Sequence, residues 1–166
     1  MRQDNRGVSL VEILIVVSII TVLAGVGIYS VSLMSGKPAM KCAQKIMYSL
    51  ERHRTTAMSK VGAKYLLEQD GDKVYFREYV IDGADASGAW VLNSQSEVGS
   101  SGVTVTYMLD SDTTPQPLPL ELEFDRSSGA FKPQASGRYC TRIVASRGGK
   151  DYKLTLVPLT GKVYID

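Results

Sequence analysis

The hydrophobic pattern changes its period twice along the chain. From Ile13 to Gly36 no side chain is charged, and apolar residues cover every face of a helix. That run exceeds the roughly 20 residues an α-helix needs to cross a bilayer. Lys37-Pro38 marks its exit, where proline kinks a helix or begins a new one. Beyond it Ala39, Met40, Ala43, Ile46, Met47, Leu50, Ala57, Met58 and Val61 recur near helical spacing. Lys41, Lys45, Arg52, His53 and Lys60 fall largely off that stripe, which makes His53 a solvated histidine and the methionines core. Gly62 is a natural stop. The spacing predicts one helix from about Val8 to Val61, bent at Pro38 and about 80 Å long. Its first half suits a membrane or filament core, and its second half has one face to bury.

After Gly62 the period becomes two. Lys64 to Glu68 and Lys73 to Ile81 read as a hairpin across Asp70-Gly71-Asp72. Asp82 to Gly102 is rich in Gly, Ser, Ala and Asp. It reads as a long connection with one short strand at Trp90-Val91-Leu92, and Trp90 as the ring that pins it down. Val103 to Leu109 alternates as a strand, Asp110 to Pro119 is a loop, and Leu120 to Phe124 is a strand. Asp125 to Gly129 turns the chain, and Ala130-Phe131 starts back. Arg138 to Ser146, Tyr152 to Val157 and Lys162 to Ile165 complete the strands, with turns at Arg147 to Lys150 and Pro158 to Gly161. A long helix followed only by short strands predicts an α+β fold: the helix, membrane half then amphipathic half, packs against a C-terminal antiparallel β-sheet or β-sandwich. The expected segments are 1–7, a leader; 8–36, the apolar helix; 37–62, the amphipathic half; and 63–166, a β-rich domain.

Composition narrows the function. The chain of 166 residues leaves, beyond the apolar run, enough for one domain with its own core. A net charge of +2 argues against a general polyanion binder. Two cysteines and one histidine fall short of the four ligands a structural zinc usually takes, so no metal or cofactor is expected. Gly148-Gly149-Lys150 lacks the earlier glycine of a phosphate loop, and no nucleophile–base pattern stands out, so an enzymatic role is not expected.

The start of the chain is the informative stretch. A short polar leader carries Arg2 and Arg6, which predicts a cytoplasmic N-terminus. Gly7, a small residue suited to cleavage, precedes the apolar run rather than following it as in a secretory signal. Glu12 is a lone carboxylate at the edge of the run, a costly position that calls for a partner. Glycine, basic leader, glutamate offset and uncharged helix together resemble the prepilin leader of type IV pilins and type II secretion pseudopilins. The resemblance implies that prepilin peptidase cuts between Gly7 and Val8 and methylates Val8. It further implies that Glu12 pairs with the N-terminal amine of a neighbouring subunit during assembly, and a buried carboxylate does need a countercharge. Val8 departs from the phenylalanine usual at that place, and Gly25 and Gly27 stand where major pilins often have proline. With Ser30, Ser32, Ser35 and Gly36 these glycines form either a weak point in the helix or a small-residue packing face.

Further along, Leu122-Glu123-Phe124-Asp125, Ser128-Gly129-Ala130, Tyr152 to Leu156 and Thr160-Gly161-Lys162-Val163 resemble the end of H-type pseudopilins and FimT-like minor pilins. The resemblance implies a structural subunit, minor rather than major. It would be a single-pass protein of the bacterial cytoplasmic membrane, then part of an extracytoplasmic filament with other pilins or pseudopilins. An extracytoplasmic domain permits a disulfide between Cys42 and Cys140, with two buried thiols as the other reading. Arg138, Arg142, Arg147, Lys150 and Lys153 cluster with only Asp151 against them. They raise the alternative of a DNA-capturing minor pilin of a competence apparatus. A solvated edge that discourages sheet aggregation is the favoured reading of that cluster, because aromatic interleaving is sparse. A third alternative is a membrane-anchored domain that never polymerises.

Overall fold

The computed structural model describes residues 9–34, 36–59, 63–81 and 89–166, the side chains of 26–34 excepted. The chain divides into two compact units, Met1–Ser35 and Gly36–Asp166. The expectations placed on Gly7, Val8, Ser35, Lys60, Val61 and Gly62 lie outside the described residues.

In the first unit α1 runs Leu10–Met34, with Glu12 in its first turn. Every side chain described in it is exposed, the large apolar ones between 49% and 78%. In the second unit α2 runs Lys37–Ser59 and buries Ala39, Cys42, Ala43, Ile46, Leu50, His53 and Ala57. Three positions are corrected. His53 is buried rather than solvated, because the steps from Ile46 to Leu50, Leu50 to His53 and His53 to Ala57 keep it on the stripe. Met40 and Met58 are 43% and 45% exposed, each one position past the buried face.

Among the described residues nine strands follow: β1 Ala63–Asp70, β2 Lys73–Ile81, β3 Trp90–Gly99, β4 Thr104–Leu109, β5 Gln116–Pro117, β6 Leu120–Glu123, β7 Cys140–Arg147, β8 Lys150–Val157 and β9 Lys162–Ile165. They form two antiparallel sheets, one ordered β3-β2-β1-β6 and the other β5-β4-β7-β8-β9. The α+β architecture expected from the pattern is the one observed. One core joins Ile46 and Leu50 of α2 to Tyr65, Leu67 and Phe76 of the first sheet and to Ile143 and Leu154 of the second.

The region before Gly102 departs from expectation. Instead of a connection with a three-residue strand, β3 extends ten residues along the edge of its sheet. Trp90 opens this strand and is 41% exposed, with Lys64 Nζ 5.6 Å from its ring centroid. It is a rim residue under a cation rather than a buried anchor.

Candidate functional site

The N-terminal end of α1 is built by a cap. The Ser9 carbonyl accepts hydrogen bonds from the amides of Glu12 (3.0 Å) and Ile13 (3.2 Å), which makes Ser9 the last residue before the helix. Ser9 and Glu12 have the spacing of a capping box, and a carboxylate in the first turn is favoured by the helix dipole. The sequence carries this signal openly as Ser9-Leu10-Val11-Glu12. Glu12 thus stands where a helix start favours a carboxylate, apart from any partner in another subunit. Among the described residues it makes no ion pair. Around it Leu10, Val11, Ile13, Leu14 and Ile15 are more than half exposed, an apolar surface well beyond scattered single residues. Among the described residues no helix is long and apolar enough to cross a membrane, since the described side chains of α1 stop at Gly25.

The five cations grouped by sequence do not form one patch. Arg138 is engaged: its Nη2 lies 2.8 Å from Asp112 Oδ1 and its Nε 3.4 Å from Asp110 Oδ1. Asp112 leads Asp110 in holding its guanidinium charged. Arg142 pairs with Thr155 and Val144 with Lys153 across β7 and β8, so Arg142 and Lys153 share the outward face of that sheet. Arg147 and Lys150 pair at the β7–β8 turn and belong to the opposite set of positions. Strand alternation separates what adjacency in sequence had joined.

Of the two readings open for Cys42 and Cys140, the structure has the buried free thiols and not the disulfide. Burial pushes both up to about 12 from an ordinary 9.0. Lys45 opposes the rise at Cys42, and a backbone hydrogen bond from Arg142 opposes it at Cys140. Thiols so held are poor nucleophiles.

Two features of the second unit were missed by sequence reasoning. One is a buried polar pair: His53 Nδ1 lies 3.2 Å from Glu78 Oε2, with the residues 7% and 3% exposed. Glu78 Oε2 also accepts from Asn93 Nδ2 (3.1 Å) and Ser94 Oγ (3.0 Å). His53 stacks on Phe76 at 5.3 Å, and the Tyr65 hydroxyl donates to its carbonyl at 3.0 Å. Burial, with Glu78 second, raises the Tyr65 phenol well above its ordinary value. An imidazole beside a carboxylate can move protons, but this pair is enclosed by the core. The i to i+3 step from Leu50 to His53 was the available signal.

The other is a corner. Arg54 Nε donates to the Gly129 carbonyl at 3.0 Å, and the Phe131 amide donates to the Pro158 carbonyl at 2.9 Å. Gly129 and Gly161 meet there, both with positive φ, at 68° and 64°. Two of the segments singled out in the sequence, Ser128-Gly129-Ala130 and Thr160-Gly161-Lys162-Val163, are therefore the two turns of this contact. Among the described residues no group of three or more His, Cys, Asp or Glu is placed to hold a metal.

Residues 2–28 match the family model of the prokaryotic N-terminal methylation motif. The match takes in Gly7, Val8 and Glu12 and is consistent with a type IV pilin or pseudopilin. It supports a pilin-like substrate of prepilin peptidase. Neither the curated proteins nor the solved structures contain a match to the chain.

Proposed function

We propose, for a chain that carries this methylation motif, the role of a non-enzymatic filament subunit: a minor pilin or pseudopilin of a type IV pilus or type II secretion-like filament. Prepilin peptidase cuts after Gly7 and methylates Val8. The precursor is held in the cytoplasmic membrane by α1, with its N-terminus cytoplasmic, and the same helix then packs among those of other subunits. Glu12 meets a neighbour's N-terminal amine. The carrying observation is α1 itself, an apolar helix exposed along its described length with one carboxylate in its first turn. Such a surface needs a lipid or protein cover.

Two measurements test this. Mass spectrometry of chain made beside its native prepilin peptidase is expected to find an N-terminus at methylated Val8; a chain still starting at Met1 overturns the reading. Glu12→Gln then separates the two uses of the glutamate. Glutamine keeps the capping-box pattern and removes the charge. Processing is expected to continue while incorporation into filaments is lost. Filaments that accept the variant normally would assign Glu12 to the cap alone.

A further inference from the structure

The outward face of α2 begins with Lys37, Lys41 and Lys45, exposed and one turn apart, and α2 has no acidic residue before Glu51. The three lysines line a shallow cavity of about 250 Å³ with Pro38, Val98 and Ser100. Lys45 Nζ donates to the Glu97 carbonyl at 3.1 Å, which holds that amine beside β3. Two further cations stand at the same end of the unit. A Cβ on Gly36 would lie 2.6 Å from Lys150 Cδ, so Lys150 packs on the residue before α2. A Cβ on Gly102, in the connection that includes Ser100, would lie 3.5 Å from Arg147 Nε. Among the described residues none of these five cations makes an ion pair. The nearby acids are partly engaged: Lys73 holds Glu97 at 2.8 Å, the Ser101 hydroxyl donates to Asp72 at 3.0 Å, and Arg77 stands 4.0 Å from Asp70, leaving Asp151 beside Lys150.

Chain length limits how far such a face can lie from the end of α1. Lys37 stands three positions after Met34, the last residue of α1. A fully extended link of that length spans at most about 11 Å, and one helical turn adds about 6 Å to Lys41. The interfacial zone of a bilayer is roughly 5–8 Å deep on each side, and lysine reaches outward along its stem. We infer that Lys37, Lys41 and Lys45, with Lys150 and Arg147 beside them, seat anionic phospholipid headgroups at the membrane surface where α1 ends. The inference rests on α1 anchoring the precursor. It gives the domain a resting place before assembly, and gives Arg147 and Lys150 a phosphate partner other than DNA.

The test uses the full chain reconstituted in vesicles of phosphatidylcholine alone and of phosphatidylcholine with phosphatidylglycerol. Lysine acylation is followed by mass spectrometry, with Lys132 and Lys162 as internal references. In the anionic vesicles, acylation of Lys37, Lys41, Lys45 and Lys150 is expected to slow about fivefold, the worth of one lysine at an anionic surface. The protection is expected to vanish in about 1 M salt, where the screening length is about 3 Å. Equal rates in both vesicles overturn the inference and leave the anchoring reading intact. Protection by added duplex DNA but not by phosphatidylglycerol also overturns it and assigns the face to nucleic acid. A chain that fails to float with either vesicle overturns the anchoring reading and the inference together.

Discussion

Gly161 has no room for a side chain. A Cβ there would lie 1.8 Å from the Gly129 carbonyl oxygen, a backbone atom that cannot step aside, and its φ of 64° already disfavours any other residue. Gly137 is the matched control, with φ at 78° and nothing within 4 Å of its Cβ position. Gly137→Ala is expected to cost about 1–2 kcal/mol, the conformational penalty alone. Gly161→Ala should cost at least about 2 kcal/mol more, read as urea midpoints of the full chain in detergent. Equal losses would mean that the corner yields freely. The buried pair is tested by a cycle. Glu78→Ala and His53→Ala are each expected to destabilise by about 1–3 kcal/mol, since each removes one side of a buried polar contact. The double variant should lose clearly less than the sum. Simple additivity would show that the 3.2 Å approach carries no coupling.

Among the elements, α2 was the most legible and its phase the least secure. Methionine and alanine fit either face of a helix, so the pattern draws Met40 and Met58 into the stripe, while polarity alone sets His53 outside it. The hydrogen-bonding company that makes His53 acceptable inside comes from Glu78, far along the chain, and no helical pattern carries it. Ile46→Ala should cost about 2–5 kcal/mol and Met40→Ala less than about 0.5 kcal/mol by thermal or urea unfolding. Similar losses would mean the helix is rotated from its described face. The strands alternating between core and solvent were readable for the same reason that β3 was not. As an edge strand it is exposed from Trp90 to Glu97, so Asn93-Ser94-Gln95-Ser96 shows no apolar alternation. Register shifts opposite Val74/Tyr75 and Glu78/Tyr79 blur it further. The turn at Asp125 was legible because its chemistry is local. The Ser127 hydroxyl foremost, then the hydroxyl and amide of Ser128, bond its carboxylate and hold it below the usual acid range.

At the scale of the whole molecule the two buried thiols report on the core. Cys42 lies on α2 and Cys140 on β7, and both titrate near 12 in the folded protein instead of 9.0. Because the folded values are raised, the stability they contribute is complete below about pH 9 and is lost as the pH climbs towards 12. Each thiol adds up to about 1.4 kcal/mol per pH unit to that loss. Urea midpoints measured above pH 9 should therefore fall, and the variant Cys42→Ala/Cys140→Ala should show a flatter decline. An unchanged slope would place the alkaline sensitivity elsewhere. The candidate site was legible at its leader, where the methylation motif is a linear one. It was not legible where strand pairing decides which cations become neighbours.

The Gly129–Gly161 corner also bears on the order in which the molecule can be completed. Arg54 on α2 grips a turn at residue 129, and that turn rests on another at residue 161, within a chain of 166. Contacts so far apart in sequence close late, because the loop between them must first be gathered in. A chain emerging end-first from a ribosome or a translocation channel would leave the far half of α2 without its clasp until the last hairpin is out. Removal of the segment after Val157 should therefore unfasten the start of the domain as well as its end.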